Sequence, residues 1–129
     1  MMTGVILVTH GDAGTAMLEA AQKVVGPLPL VSAVGVPLGE KVSDVQHRIE
    51  DAVVHMETQD VLFLVDLGGS TPANLCCKQC GGHGVVVSGL NMAMLLKLAT
   101  SDRGQGARLL ADDLVASAAK AIRVSEGHP

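Results

Sequence analysis

Val5-Ile6-Leu7-Val8, running into Thr9-His10-Gly11-Asp12, is the stretch on which the fold turns. Four consecutive aliphatic residues with no polar alternation read as a strand covered on both faces, which is the habit of parallel sheets. The run stops at a histidine and a glycine. Ala13, Ala16, Met17, Ala20, Ala21, Val24 and Val25 then fall at helical spacing, and Gly26-Pro27 ends them. A strand, a short polar turn and an amphipathic helix form the first unit.

The same pattern recurs along the chain. Leu30-Val31-Ser32-Ala33-Val34, Val61-Leu62-Phe63-Leu64-Val65 and Gly84-Val85-Val86-Val87 are three further strand-like runs. Val42, Val45, Ile49, Ala52, Val53 and Met56 form a second helical stripe, with Ser43 or Asp44 able to cap it. A third helix is expected to begin at Pro72, with Thr71 as its cap, because proline suits the first helical position. A fourth begins after Asn91, and a last one spans about 107–123. The predicted order is β-α-β-α-β-α-β-α-α. Alternation with short connections predicts an α/β fold with a mostly parallel sheet of four to five strands and helices on both faces. One domain is expected over 1–124, with a disordered tail at 125–129.

Composition narrows the function. The 129 residues are 48% hydrophobic, but one Phe is the only aromatic of the Phe, Tyr and Trp class. Single-stranded nucleic acids are gripped by stacking on aromatic rings, and phosphate backbones by basic surfaces. This chain has few rings and a net charge of −4, so nucleic acid is an unexpected partner. The apolar runs are strand-sized, well below the roughly 20 residues that a spanning helix needs. The start lacks a basic leader, so a cytoplasmic location without direct membrane insertion is expected. Cys76, Cys77 and Cys80 are clustered and odd in number, a poor disulfide framework. One C-x-x-C without a second is weak evidence for metal, so the thiols are read as packing residues and no metal or cofactor is expected.

In open parallel sheets the chemistry gathers beyond the carboxyl ends of the strands. His10 ends the first strand and Asp66 ends the third. A neutral imidazole is a competent nucleophile near neutral pH, and a following helix N-terminus (here Gly11 and Asp12) stabilises an attached anion. Asp66 could hold one ring nitrogen and free the other, although a solvated strand end or a metal ligand are also open readings. Gly68-Gly69-Ser70-Thr71 could bring backbone N–H groups to an anion, while capping alone would also account for Thr71. Ser88-Gly89-Leu90-Asn91 carries the same ambiguity between ligand contact and cap. The loop lacks the lysine of a P-loop, and no G-x-G-x-x-G follows a strand, so nucleotide binding is not indicated.

Three blocks resemble the enzyme IIA domain of the mannose-type phosphotransferase system. They are Gly4 to Gly11 with its alanine-rich helix, Val61 to Asn74 with its Asp and Gly-Gly-Ser-Thr-Pro-x-Asn loop, and Val87 to Leu95. The resemblance implies a doubly wound fold and a homodimer. It implies that His10 accepts a phosphoryl group from the histidine-containing phosphocarrier protein and donates it to an enzyme IIB histidine on a separate chain. It also implies that Asp66 hydrogen-bonds His10, with Thr71 beside it. Gly11, Asp12, Gly69, Ser70, Ser88 and Asn91 are the expected supporting residues. Family dimers also exchange a C-terminal strand, for which Ile122-Arg123-Val124 is the available segment. Ser70 replaces a family glycine and Ala73 replaces a frequent aromatic. A regulatory module that is phosphorylated on His10 and read by a partner protein, without sugar transport, is the alternative function.

Overall fold

The structure is a computed structural model describing residues 1–128. Pro129, the last residue of the expected tail, lies outside the described residues.

Four strands, β1 (Gly4–His10), β2 (Val31–Val36), β3 (Val61–Val65) and β4 (Val85–Ser88), form one all-parallel sheet in the order β2-β1-β3-β4. The helices are α1 (Ala13–Val25), α2 (Val42–His55), α3 (Thr71–Cys77), α4 (Gln79–Gly82), α5 (Met92–Leu98) and α6 (Ala107–Ala121). The period-two alternation of side chains divides each central strand between two cores. Val5, Leu7, Leu62, Leu64 and Val87 face Leu18 of α1, Leu95 and Leu98 of α5, and Leu110 and Leu114 of α6. Ile6, Val8, Val61, Phe63 and Val65 face Val45 and Ile49 of α2 and Leu75 and Cys76 of α3. Both faces are therefore dry, which is why β1 and β3 carry unbroken apolar runs. The expected doubly wound α/β fold is observed, with four strands.

The strand order decides where the site lies. The chain leaves β1 toward β2 on one side, then crosses back to place β3 on the other. The loops after β1 and β2 thus diverge from those after β3 and β4, opening a crevice between the ends of β1 and β3.

At the opposite end of the sheet, Arg103 is buried and staples two strands. Its Nε and Nη2 donate to the Thr3 carbonyl at 3.2 and 2.6 Å, and Nη2 also reaches the Leu30 carbonyl at 3.3 Å. Asp60 accepts from the Thr3 hydroxyl and, through Oδ1, from the Ala107 N–H at 3.1 Å. Gly106, preceding α6, has no side chain with which to cap it, so a carboxylate 47 residues away does so.

Several local expectations change. β2 begins at Val31, because Leu30 sits at φ +50°, outside the strand region. It extends to Val36, whose partner is His10. β4 starts one residue later than expected. Gly84 belongs to the turn, donating to the Cys77 carbonyl at 3.3 Å and packing so close to the Cys76 carbonyl that a Cβ would stand 2.2 Å from it. The extra single turn α4 occupies part of the expected glycine-rich loop, with Cys80 and Gly81 at positive φ. Neither Ser43 nor Asp44 caps α2. The helix opens one residue before them, and the Lys41 carbonyl receives the first N–H groups. α6 stops at Ala121, and Ile122 and Val124 follow as exposed residues.

Candidate functional site

His10 and Asp66 stand at the ends of the two adjacent central strands. The register pairs Val8 with Val65, so Asp66 follows that pair by one position and His10 by two, at the same edge of the sheet. Asp66 Oδ2 accepts from the His10 backbone N–H at 2.9 Å and lies 3.0 Å from His10 Nδ1. Burial pushes the Asp66 carboxyl up, but the His10 backbone N–H, ring and charge outweigh it, and the net direction is below the ordinary value of 3.8. Asp66 is therefore ionised near neutral pH and can only accept. Nδ1 must carry the proton, which leaves the Nε2 lone pair free. The imidazole is 56% exposed, so that lone pair is within reach of a large partner.

The turn after β1 holds His10 by close packing. Gly11 sits at φ +55° and donates to the Val36 carbonyl at 2.9 Å. Its own carbonyl lies over Gly35, where a Cβ would come within 2.6 Å of it. Thr9, 1% exposed, accepts the Gly14 N–H on Oγ1 at 2.8 Å and so secures the start of α1. Asp12 occupies the cap position of α1 but makes no side-chain cap. The sequence signal for Thr9 is a polar residue at the end of a fully apolar strand.

On the β3 side, Ser70, not Thr71, caps α3. Its Oγ accepts from the Ala73 N–H at 3.4 Å and donates to the Leu67 carbonyl at 2.7 Å. Helix α3 thus starts at Thr71, and Pro72 is its second residue. A proline there still needs no intrahelical N–H bond, so the shift costs nothing in backbone pairing. Thr71 is freed from capping. Asn91 caps α5, accepting from the Met94 N–H at 3.2 Å. Ser88 packs against Gly68, where a Cβ would stand 2.8 Å from the Ser88 hydroxyl.

A cleft of about 400 Å³ brings these pieces together. His10, Gly11, Ser70, Thr71 and Pro72 line one part of it, and the Pro37–Glu40 turn with Val42 and Val45 lines the rest. Asp12, Gly69, Ser88 and Asn91 do not line it. Glu40 is the residue that sequence reasoning passed over, though it stands in the loop after β2 at the same edge of the sheet. A larger groove of about 920 Å³ opens at the opposite end, around Val53, Thr58, Asp60 and Cys80. Volume alone would choose that groove, but the paired histidine and carboxylate are at the other.

The cysteines divide by burial. Cys76 is fully buried and its thiol is pushed up to about 12, first by burial and then by neighbouring Cys77. Cys80 is half-buried and shifted up by burial, and Cys77 is exposed, so packing accounts for the first two and not for the third. No cluster of three or more His, Cys, Asp or Glu suited to a metal occurs among the described residues. No helix among them is long and apolar enough to cross a membrane.

Comparisons with known proteins bear on the family and the fold. Residues 4–117 match the family described as PTS system fructose IIA component (EIIA-man). The chain is 27% identical to the PTS system fructose-specific EIIA component of Bacillus subtilis (strain 168) over 130 aligned positions, covering 98% of this chain and 89% of that protein. Among solved structures, it is similar to the mannose/sorbose specific IIA subunit from Enterococcus faecalis, with 27% identity and a TM-score of 0.87. That likeness covers 100% of this chain and 98% of the other. The EIIA component from Streptococcus agalactiae is similar at 25% identity and a TM-score of 0.84, covering 95% and 97%. With one family model spanning nearly the whole sheet and its helices, this chain belongs to the mannose/fructose-type enzyme IIA family of the phosphotransferase system.

Proposed function

We propose that this chain is a phosphocarrier, accepting a phosphoryl group on His10 Nε2 from the histidine-containing phosphocarrier protein. It then passes the group to a histidine of an enzyme IIB domain on a separate chain, in the cytoplasm. The observation that carries the reading is the single carboxylate oxygen of Asp66 holding both the backbone and Nδ1 of His10.

The chemistry balances without a base. The Nε2 lone pair attacks phosphorus, and the phosphorus–nitrogen bond of the donor breaks with its electron pair returning to the donor ring. The proton on Nδ1 stays where it is, and the Asp66 carboxylate neutralises the positive ring that forms. Onward transfer is the same step reversed. The start of α1, three residues beyond His10, favours the added negative charge, and Thr71 in the cleft wall can donate to it. No metal or organic cofactor enters this scheme. Gly11, Asp12, Gly69, Ser70, Ser88 and Asn91 act through backbone shape, caps and packing. A homodimer is supported by the uncovered edge of β4 and by the exposed Val115, Ile122 and Val124. Residues 1–124 constitute the functional domain in this reading.

The test is to incubate the protein with phosphoenolpyruvate, enzyme I and the phosphocarrier protein, then look for acid-labile, base-stable phosphate. The wild type is expected to label and His10→Ala to stay unlabelled. Equal labelling of both would overturn the proposal.

A further inference from the structure

Arg103 is a buried cation with one nitrogen left over. It is only 8% exposed, yet no Asp or Glu pairs with it among the described residues. Nε and Nη2 are spent on the Thr3 and Leu30 carbonyls, and the Arg103 carbonyl accepts from the Thr3 N–H at 2.7 Å. Nη1 donates to nothing, and it is not sealed in, because the one closed-off side-chain polar atom without a partner among the described residues belongs to Glu40. Two N–H groups of a fixed guanidinium therefore face open space. Burial pushes this guanidinium below its ordinary range, with no carboxylate beside it to push back. Buried charges are ordinarily paired, so the missing counter-ion calls for an account.

The open space is a pocket of about 550 Å³ at the amino ends of the strands, a size that suits a small molecule. Met2, Val25 and Pro29 give it apolar walls. Its ionisable lining is Arg103, Asp102 and Met1, which carries the amino terminus. Asp102 Oδ1 is turned into its own loop, where it accepts from the Gly104 N–H at 2.9 Å. Helix α1 ends at Val25 and α5 at Leu98, so the carbonyl ends of two helices meet at the pocket. Those ends and Asp102 limit the negative charge that the pocket accepts. Two free N–H groups can hold a singly charged carboxylate, whereas a phosphate dianion would find too few donors.

We propose that this pocket binds a small monocarboxylate with a short apolar body, its carboxylate on Arg103 Nη1 and its carbon chain against Met2, Val25 and Pro29. The ligand supplies the counter-ion that the protein does not. The contact is charge-assisted and shielded from water on the protein side, which strengthens it. The pocket shares no residue with the His10 cleft, so it is a second site and takes no part in the proposed phosphoryl transfer.

The experiment titrates the protein with hexanoate and follows the backbone amides by proton–nitrogen NMR. Saturable shifts are expected at Val25, Leu28, Leu98 and Gly104, with a Kd of about 1 mM. Hexanamide, which has the same chain without the charge, should bind at least about tenfold more weakly. Arg103→Lys should weaken hexanoate by about tenfold, because one ammonium can serve the two carbonyls but has no second nitrogen to turn to the pocket. Ala99→Phe fills the pocket mouth from an exposed helix end and should abolish binding without touching Arg103. Asp102→Asn keeps the Gly104 contact, loses the like charge and should tighten binding by about two- to fivefold. His10→Ala should bind as the wild type does. Equal binding of hexanamide and hexanoate would overturn the proposal, as would tighter binding of inorganic phosphate, unchanged binding in Ala99→Phe, or a loss in His10→Ala, which would put the ligand in the other cleft. Self-association that hexanoate abolishes would make a second copy of the chain the occupant and would overturn it too.

Discussion

Asp66 Oδ2 receives two contacts from His10, at 2.9 Å from the backbone N–H and 3.0 Å from ring Nδ1. The backbone contact fixes the end of β1 against the end of β3. The ring contact fixes which nitrogen carries the proton. One oxygen thereby couples the sheet's geometry to the nucleophile's protonation state, and that coupling underlies the first two predictions.

Asp66→Asn should leave the fold intact and lower the rate of His10 phosphorylation by about 100-fold or more, because an amide can donate to Nδ1 and move the proton to Nε2. Rapid-quench labelling measures the rate, and nitrogen NMR of the imidazole reads the tautomer. A wild-type rate with an unchanged tautomer would remove Asp66 from the mechanism.

The lowered Asp66 pKa predicts a pH dependence of stability. The folded value lies below the unfolded one, so this group's contribution is fully present above the unfolded value near 3.8 and is lost as pH falls through the folded value. Asp66→Asn should therefore lose less stability than wild type between about pH 5 and about pH 2, read as urea midpoints. Parallel acid losses in the two proteins would contradict it.

Thr9→Val removes the acceptor of the Gly14 N–H inside a buried turn. The expected cost is about 1–2 kcal/mol of unfolding free energy, with Thr9→Ser recovering most of it. Equilibrium denaturation of the three proteins decides it, and a valine variant as stable as wild type would show that the cap contributes nothing.

Gly35→Ala places a Cβ 2.6 Å from the Gly11 carbonyl, which is backbone and cannot swing away. The His10–Gly11 turn must shift, so both stability, by about 1–3 kcal/mol, and the transfer rate should fall together. Arg103→Met is the contrasting case. It strips donors from the Thr3 and Leu30 carbonyls at the other end of the sheet and should cost about 2–4 kcal/mol. Transfer by its folded fraction should match wild type, and a loss of rate in that fraction would show that the two ends of the sheet are coupled.

The large features of the fold were legible because they are local. An unbroken run such as Val5–Val8 or Val61–Val65 can be read from its own residues, and so can a helical stripe such as Val45-Ile49-Ala52. The errors were at boundaries, where distant contacts compete with local chemistry. Thr71 before Pro72 is a plausible cap, but Ser70 is folded back onto the Leu67 carbonyl and reaches the Ala73 N–H instead. Ser43 and Asp44 are good capping types, yet α2 begins ahead of them.

By itself the sequence determined the alternating layers, the two-sided burial of the central strands, and the placing of His10 and Asp66 at strand ends. Each of these follows from side-chain periodicity within a few residues. Only the tertiary structure decided that β1 and β3 are neighbours, so that residues 56 positions apart share an oxygen. It also decided that Thr9 secures α1, that Asp60 caps α6, and that Glu40 keeps an oxygen without a donor in the wall of the His10 cleft. Strand order and burial are set by how whole layers pack, and no local spacing records which distant groups that packing brings within hydrogen-bond reach.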